Sequence, residues 1–144
     1  MIGGGGPRTL SLAAREASIV GLVPRARRDG GGLDRGDFGE AALREKIGWV
    51  REAAGDRFEA IELHALIQAV IVSDQRSVAA EQVAARFGAG REVLLESPYV
   101  LIGSVDGICE TLRMRREAYG ISYLTVFDRD VEVFAPVVER LAGT

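Results

Sequence analysis

Four consecutive glycines, Gly3 to Gly6, run directly into Pro7 and Arg8 at the start of the chain. Proline suits the first position of a helix, where its missing N–H would have no partner in any case. The pattern therefore reads as a glycine loop opening onto a helix N-terminus. Such a terminus presents unpaired N–H groups and the positive end of the helix dipole. Glycines allow an anion to approach the backbone closely, and Arg8 adds a planar, doubly donating cation. The chemistry this predicts is a phosphate cradle. The alternative is a plain strand-to-helix turn in which the glycines only relieve crowding.

Other reactive residue types are few. His64 is the only histidine and Cys109 the only cysteine. A lone strand histidine is read either as a hydrogen-bonded structural residue or as a pocket-lining group, and the sequence names no catalytic acid or base. Without a second His or Cys at ligand spacing, no metal site is expected. Cys109 falls on the apolar face of a helix pattern and reads as a small buried side chain rather than a nucleophile.

The elements that must position these residues follow from periodicity. After the first helix, which runs to Ala17, Ser18 to Val23 (SIVGLV) reads as a buried strand. Residues 24 to 40 mix Pro, Gly and charge without periodicity and read as a loop. Its basic cluster, Arg25, Arg27 and Arg28, is either solvated or closes over an anion held at the glycine loop. Ala41 to Ala54 reads as a helix with Leu43, Ile47, Val50 and Ala54 on one face, stopped by Gly55. Phe58 to Val72 is the longest β signal. In it Ile61, Leu63, Ala65 and Ile67 alternate with Glu62, His64, Leu66 and Gln68. Polar residues on one face of a buried strand suit the interior or mouth of a barrel.

Helices are expected from Ser77 to Phe87, over Arg91 to Glu96, and from an N-cap at Ser104 to Gly120. Tyr99 to Ile102 is a brief apolar run. Ile121 to Phe127 reads as a strand, and a last helix has its main body from near Val133. Strands alternating with helices predict parallel βαβ units. Three clear strands plus a remnant before Gly3 supply about half of a barrel that needs about 250 residues.

Composition bounds the rest. The chain has 144 residues, 47% apolar and 27% charged, with net charge −3. This fits one globular domain and gives no nucleic-acid footprint. The 18 basic residues are seventeen arginines and one lysine. No apolar run is long enough to span a membrane and no export signal is evident, so neither membrane nor nucleic acid is expected as a partner. A single cysteine fits a reducing, cytoplasmic setting.

The segment IGGGGPRTLSLAAREASIVGL resembles the characteristic stretch of the luciferase-like flavin and deazaflavin oxidoreductases. SPYVLIGSVDGICETLRMRREAYGISYLTVF resembles the end of the same family, and the two together cover essentially the whole chain. Ser18 stands where the family pattern has an acidic residue. The resemblance, strongest to the deazaflavin-dependent subgroup, implies an α/β fold, the C-terminal half of a (β/α)8 TIM barrel, about strands 5–8 with their helices. Residues 1–144 would then be a partial luciferase-like barrel domain with its N-terminal half absent.

It also implies hydride transfer or monooxygenation between a deazaflavin coenzyme (F-420 type), or FMN as the alternative, and a small organic substrate. Carried over, Gly4, Gly5, Gly6 and Arg8 would line the cofactor phosphate, with Gly21 and Leu22 nearby. As a truncated form the chain would have weak or no activity alone. Pairing of two chains through their sheet edges as a homodimer, and a non-catalytic phosphate-ligand-binding module, are the alternatives.

Overall fold

The computed structural model describes residues 1–143. The chain runs β1 (Ile2–Gly4), α1 (Pro7–Glu16), β2 (Ile19–Leu22), α2 (Glu40–Ala54), β3 (Glu62–Leu66), β4 (Ala69–Val72), α3 (Arg76–Phe87), α4 (Arg91–Glu96), β5 (Val100–Gly103), α5 (Val105–Tyr119), β6 (Ile121–Thr125) and α6 (Val131–Leu141). Short 3-10 turns precede α2, β3 and α6. Strands β1, β2, β3 and β6 form one sheet in that order, every pairing parallel, and β4 and β5 pair in parallel as a second, two-stranded sheet.

The helices form where the periodicity places them. Leu10, Ala13 and Ala14 of α1 and Leu43, Ile47 and Val50 of α2 are buried together against Val20, Leu22, Leu63 and Ala65 of the four-stranded sheet. Successive strand residues face opposite sides. The other side of this sheet therefore carries Gly3, Gly21, His64 and Tyr123, which lie in one cross-strand row by register. Two further apolar clusters hold the remaining helices. One joins β4 and β5 to α5 and α6, through Val70, Leu101, Ile108 and Phe134. The other joins them to α3 and α4, through Ala69, Ala80, Leu94 and Ile102.

Two sequence expectations are corrected. Phe58 to Val72 is not one strand. Residues 55–60 form a 3-10 turn, and the extended stretch divides at Ile67 and Gln68 into β3 and β4, which belong to different sheets. The N–H of Ile67 donates to Thr125 at 2.8 Å, and the next N–H, of Gln68, donates to Tyr99 at 2.7 Å. One residue pairs with each sheet. Residues 24–40 are also more ordered than a loop. Ala26 and Leu33 make an antiparallel bridge, Asp34 N–H donates to the Arg25 carbonyl at 2.7 Å, and Asp34 caps the turn 35–37 by accepting from Gly36 N–H.

Candidate functional site

The glycine loop lies at the C-terminal end of β1, and its glycines serve different ends. None of the four has a positive φ, so left-handed backbone is not what requires them. A Cβ on Gly4 would lie 2.6 Å from Thr9 Cγ2, and one on Gly5 would lie 2.8 Å from both the N and the Cα of Arg25. Those two positions need glycine because other atoms crowd them. Gly6 is different: a Cβ there would meet nothing within 4 Å, so the space beside it is open.

Gly6 is also the N-cap of α1, with no side-chain cap and no acidic residue in the first turn. The first intrahelical bond runs from Leu10 N–H to the Gly6 carbonyl at 3.1 Å. Hence the N–H groups of Arg8 and Thr9 are left without intrahelical partners, and Pro7 has none to offer. The side chains of Arg8 and Thr9 are exposed at this same end. An open space edged by free N–H donors, a helix dipole and an arginine suits an anion.

The sequence cluster Arg25, Arg27 and Arg28 is divided by the structure. Arg25 is held against the glycine loop through its contact with Gly5. Its backbone N–H donates to Asp37 Oδ2 at 2.6 Å, and its Nε and Nη2 lie 3.0 and 2.9 Å from Asp37 Oδ1. Arg27 instead pairs with exposed Asp29 inside the hairpin. Arg28 is exposed. Asp37 takes a second cation, Lys46 of α2, whose Nζ lies 2.5 Å from Oδ2; the two side chains are 0% and 1% exposed. The lysine also sits 5.9 Å from the centre of the buried Tyr99 ring. Burial, with the nearby Asp37 charge, pushes the Tyr99 hydroxyl above its usual pKa.

Sequence reasoning did not find Asp37 or Lys46, although one signal existed. Lys46 is the only lysine, and it stands three residues after Leu43 and four before Val50, on the apolar face of α2.

Gly21 and Leu22 fall on opposite faces of β2. Gly21 belongs to the row Gly3–Gly21–His64–Tyr123, and a Cβ there would lie 3.1 Å from Gly3 Cα and 3.2 Å from His64 Nδ1. Leu22 is 0% exposed and packs into the helix layer, so only its backbone faces the loop end. His64 is 5% exposed, its Nε2 lies 2.8 Å from Thr125 Oγ1, and its ring meets Tyr123 edge-on at 4.8 Å. Nδ1 is buried with no hydrogen-bond partner among the described residues. Burial holds the imidazole pKa below its usual range, against a weaker opposing pull from Glu62. Cys109 is buried in the α5 core.

A cleft of about 900 Å3 opens elsewhere, at the C-terminal ends of β4 and β5 beside α5. Of its three arginines, Arg76 donates to the Ile102 and Leu95 carbonyls, Arg115 to those of Ser97, Pro98 and Val100, and Arg44 pairs with Glu40. The glycine loop, with uncommitted donors, is the better candidate for ligand chemistry.

No protein-family model matches the sequence, and no curated protein matches it. Solved structures do. One is a long-chain alkane monooxygenase, LadA, with TM-score 0.60 and 16% identity over 96% of this chain and 39% of that one. Another is riboflavin lyase (RcaE) with modified FMN and substrate riboflavin, with TM-score 0.60 and 12% identity over 96% of this chain and 41% of that one. A third is DmoA from Hyphomicrobium sulfonivorans, with TM-score 0.58 and 14% identity over 96% and 40%. The chain thus spans about two-fifths of the length of the structures it matches. At these identities the likeness is one of fold: the chain has the parallel α/β fold of part of these larger structures.

Proposed function

We propose that this chain binds a phosphate-bearing flavin-type cofactor at the glycine loop, as the cofactor-holding part of a luciferase-like oxidoreductase acting on a small organic substrate. The observation that carries the reading is the open space beside Gly6, edged by the free N–H groups of Arg8 and Thr9 and by the Arg8 side chain. The donor set suits a phosphate monoester, which takes several N–H donors and a guanidinium fork at once. The shared fold with proteins described as an alkane monooxygenase and a riboflavin lyase with modified FMN adds support.

When bound, the cofactor, a deazaflavin coenzyme (F-420 type) or FMN, would supply the redox chemistry. This chain's residues do the rest: they hold the phosphate end, and they fix where the remainder of the cofactor lies relative to the sheet. Residues 1–144 act here as one partial-barrel domain.

The test is a thermal melt of the chain with FMN and with the deazaflavin coenzyme. A ligand that binds only the native state adds about 2.7 kcal/mol of stability at a hundredfold excess over its Kd. Gly6→Val is the control, because its Cβ enters space where no protein atom lies within 4 Å. The expected outcome is a shift with at least one cofactor that Gly6→Val abolishes. No shift with either cofactor, or one that Gly6→Val leaves intact, overturns the reading.

A second reading concerns the partner. Among the described residues, β1 and β6 are the edges of the four-stranded sheet, each paired on one side only. Two copies joined edge to edge would give the eight parallel strands of a closed barrel. Sedimentation equilibrium decides it: a dimer mass at micromolar concentration supports homodimer closure, and a monomer mass removes it.

A further inference from the structure

We infer that Arg25 is a second cationic contact for the anion at the glycine loop, and that the buried Asp37–Lys46 pair is what positions it. The inference rests on the phosphate reading above. Arg25 is the one member of the 25–28 cluster that the structure fixes at the loop. Its N, Cα and Cγ lie 2.8, 2.8 and 2.9 Å from where a Gly5 Cβ would stand. Its bonds to Asp37 use Nε and Nη2, so Nη1 takes no part in them. Its side chain as a whole is 44% exposed, so it lies within reach of solvent.

The charges explain why the buried pair matters. Asp37 alone would cancel Arg25, because a carboxylate clasped by one guanidinium forms a neutral pair. Here Asp37 is shared by two cations, and one of them, Lys46, is sealed from water. The trio carries one net positive charge, and Arg25 is the member able to express it towards solvent. Lys46 thus frees the arginine charge while Asp37 fixes the arginine geometry. Two buried charges cost desolvation free energy that an apolar pair of similar volume would not. A device that holds a cation beside the loop gives that arrangement a role. The first turn of α1 carries no acidic residue to oppose it.

The experiment compares FMN with riboflavin, which differ by the phosphate, through binding titrations at fixed ionic strength. The wild-type chain is expected to prefer FMN. Arg25→Gln, at a half-exposed position, should lower the FMN-to-riboflavin affinity ratio about tenfold, as for one charge-assisted hydrogen bond. Arg25→Lys should recover part of it. The double variant Asp37→Asn with Lys46→Met removes both buried charges and strands neither. It should lower the ratio as well, although neither residue reaches the loop.

A purely structural role would weaken both ligands alike and leave the ratio unchanged. A wild-type preference for FMN that Arg25→Gln does not reduce overturns the Arg25 contact and leaves the phosphate reading standing. A ratio that survives only the double variant overturns the positioning role. If wild-type chain shows no preference for FMN, the phosphate reading falls and takes this inference with it.

Discussion

His64 Nε2 lies 2.8 Å from Thr125 Oγ1, which ties the centre of β3 to the end of the edge strand β6. The other ring nitrogen is buried with no partner among the described residues, which offer no acceptor for a second proton. Burial accordingly holds its folded pKa below the ordinary 6.5. The unfolded chain takes up that proton more readily as the medium becomes acidic. The His64 contribution is therefore fully present above pH 6.5 and is lost as pH falls from there through the depressed folded value. Urea melts at pH 7.5 and pH 5.5 should show a larger loss for the wild type than for His64→Gln. Equal losses would refute this.

Gly5 and Gly6 make a paired test of crowding. Gly5→Ala drives a methyl group into the Arg25 backbone and should cost about 1–3 kcal/mol, as overpacking does. Gly6→Ala enters open space at φ −111°, which any residue adopts, and should change stability by less than about 0.5 kcal/mol. Denaturant midpoints of the two variants measure the contrast.

The ion cluster should respond unequally to its three members. Asp37→Asn leaves Lys46 buried without a counter-charge and should cost about 3–5 kcal/mol. Arg25→Gln removes a half-exposed partner and should cost about 0–1 kcal/mol. Comparable losses from the two would show that Lys46 does not depend on Asp37.

Arg115 is 8% exposed, and its guanidinium donates to the carbonyls of Ser97, Pro98 and Val100, which bind α5 to the turn before β5. Burial brings its pKa down to about 10, so it stays charged at neutral pH. Arg115→Met removes the donor to the Pro98 carbonyl, whereas the Ser97 carbonyl keeps the Val100 N–H at 3.4 Å, and should cost about 1–3 kcal/mol for each carbonyl left without a partner. Arg115→Lys should recover only part, because an ammonium cannot span the same spread of acceptors. A thermal melt of both variants against wild type checks the order.

Much of the fold was legible in the chain. The apolar spacing of Leu43, Ile47 and Val50 and the N-cap at Ser104 are local signals, and the helices they predict form. The glycine loop could likewise be read from Gly3–Arg8, because a loop opening onto a proline-started helix is a property of adjacent residues. What escaped depends on partners distant in sequence. The alternation from Ile61 to Gln68 runs on without a break, yet Ile67 pairs towards β6 and Gln68 towards β5. Nothing in the alternation marks that change of sheet. Asp37 lay in a segment without periodicity, and only its meeting with Lys46, nine residues on, makes it more than a solvated carboxylate. Arg25 could be named as basic but not as the one held at Gly5, since that contact joins the ends of two different strands.

The burial of Lys46 bears on how this protein can be handled. Reagents that acylate ε-amines find no lysine on the folded surface, since the one lysine is 0% exposed. Modification of that side chain can occur only when the α2 layer opens. Mass-spectrometric counting of acylated Lys46 over time would thus act as a clock for that opening, with a single site and no background from other lysines.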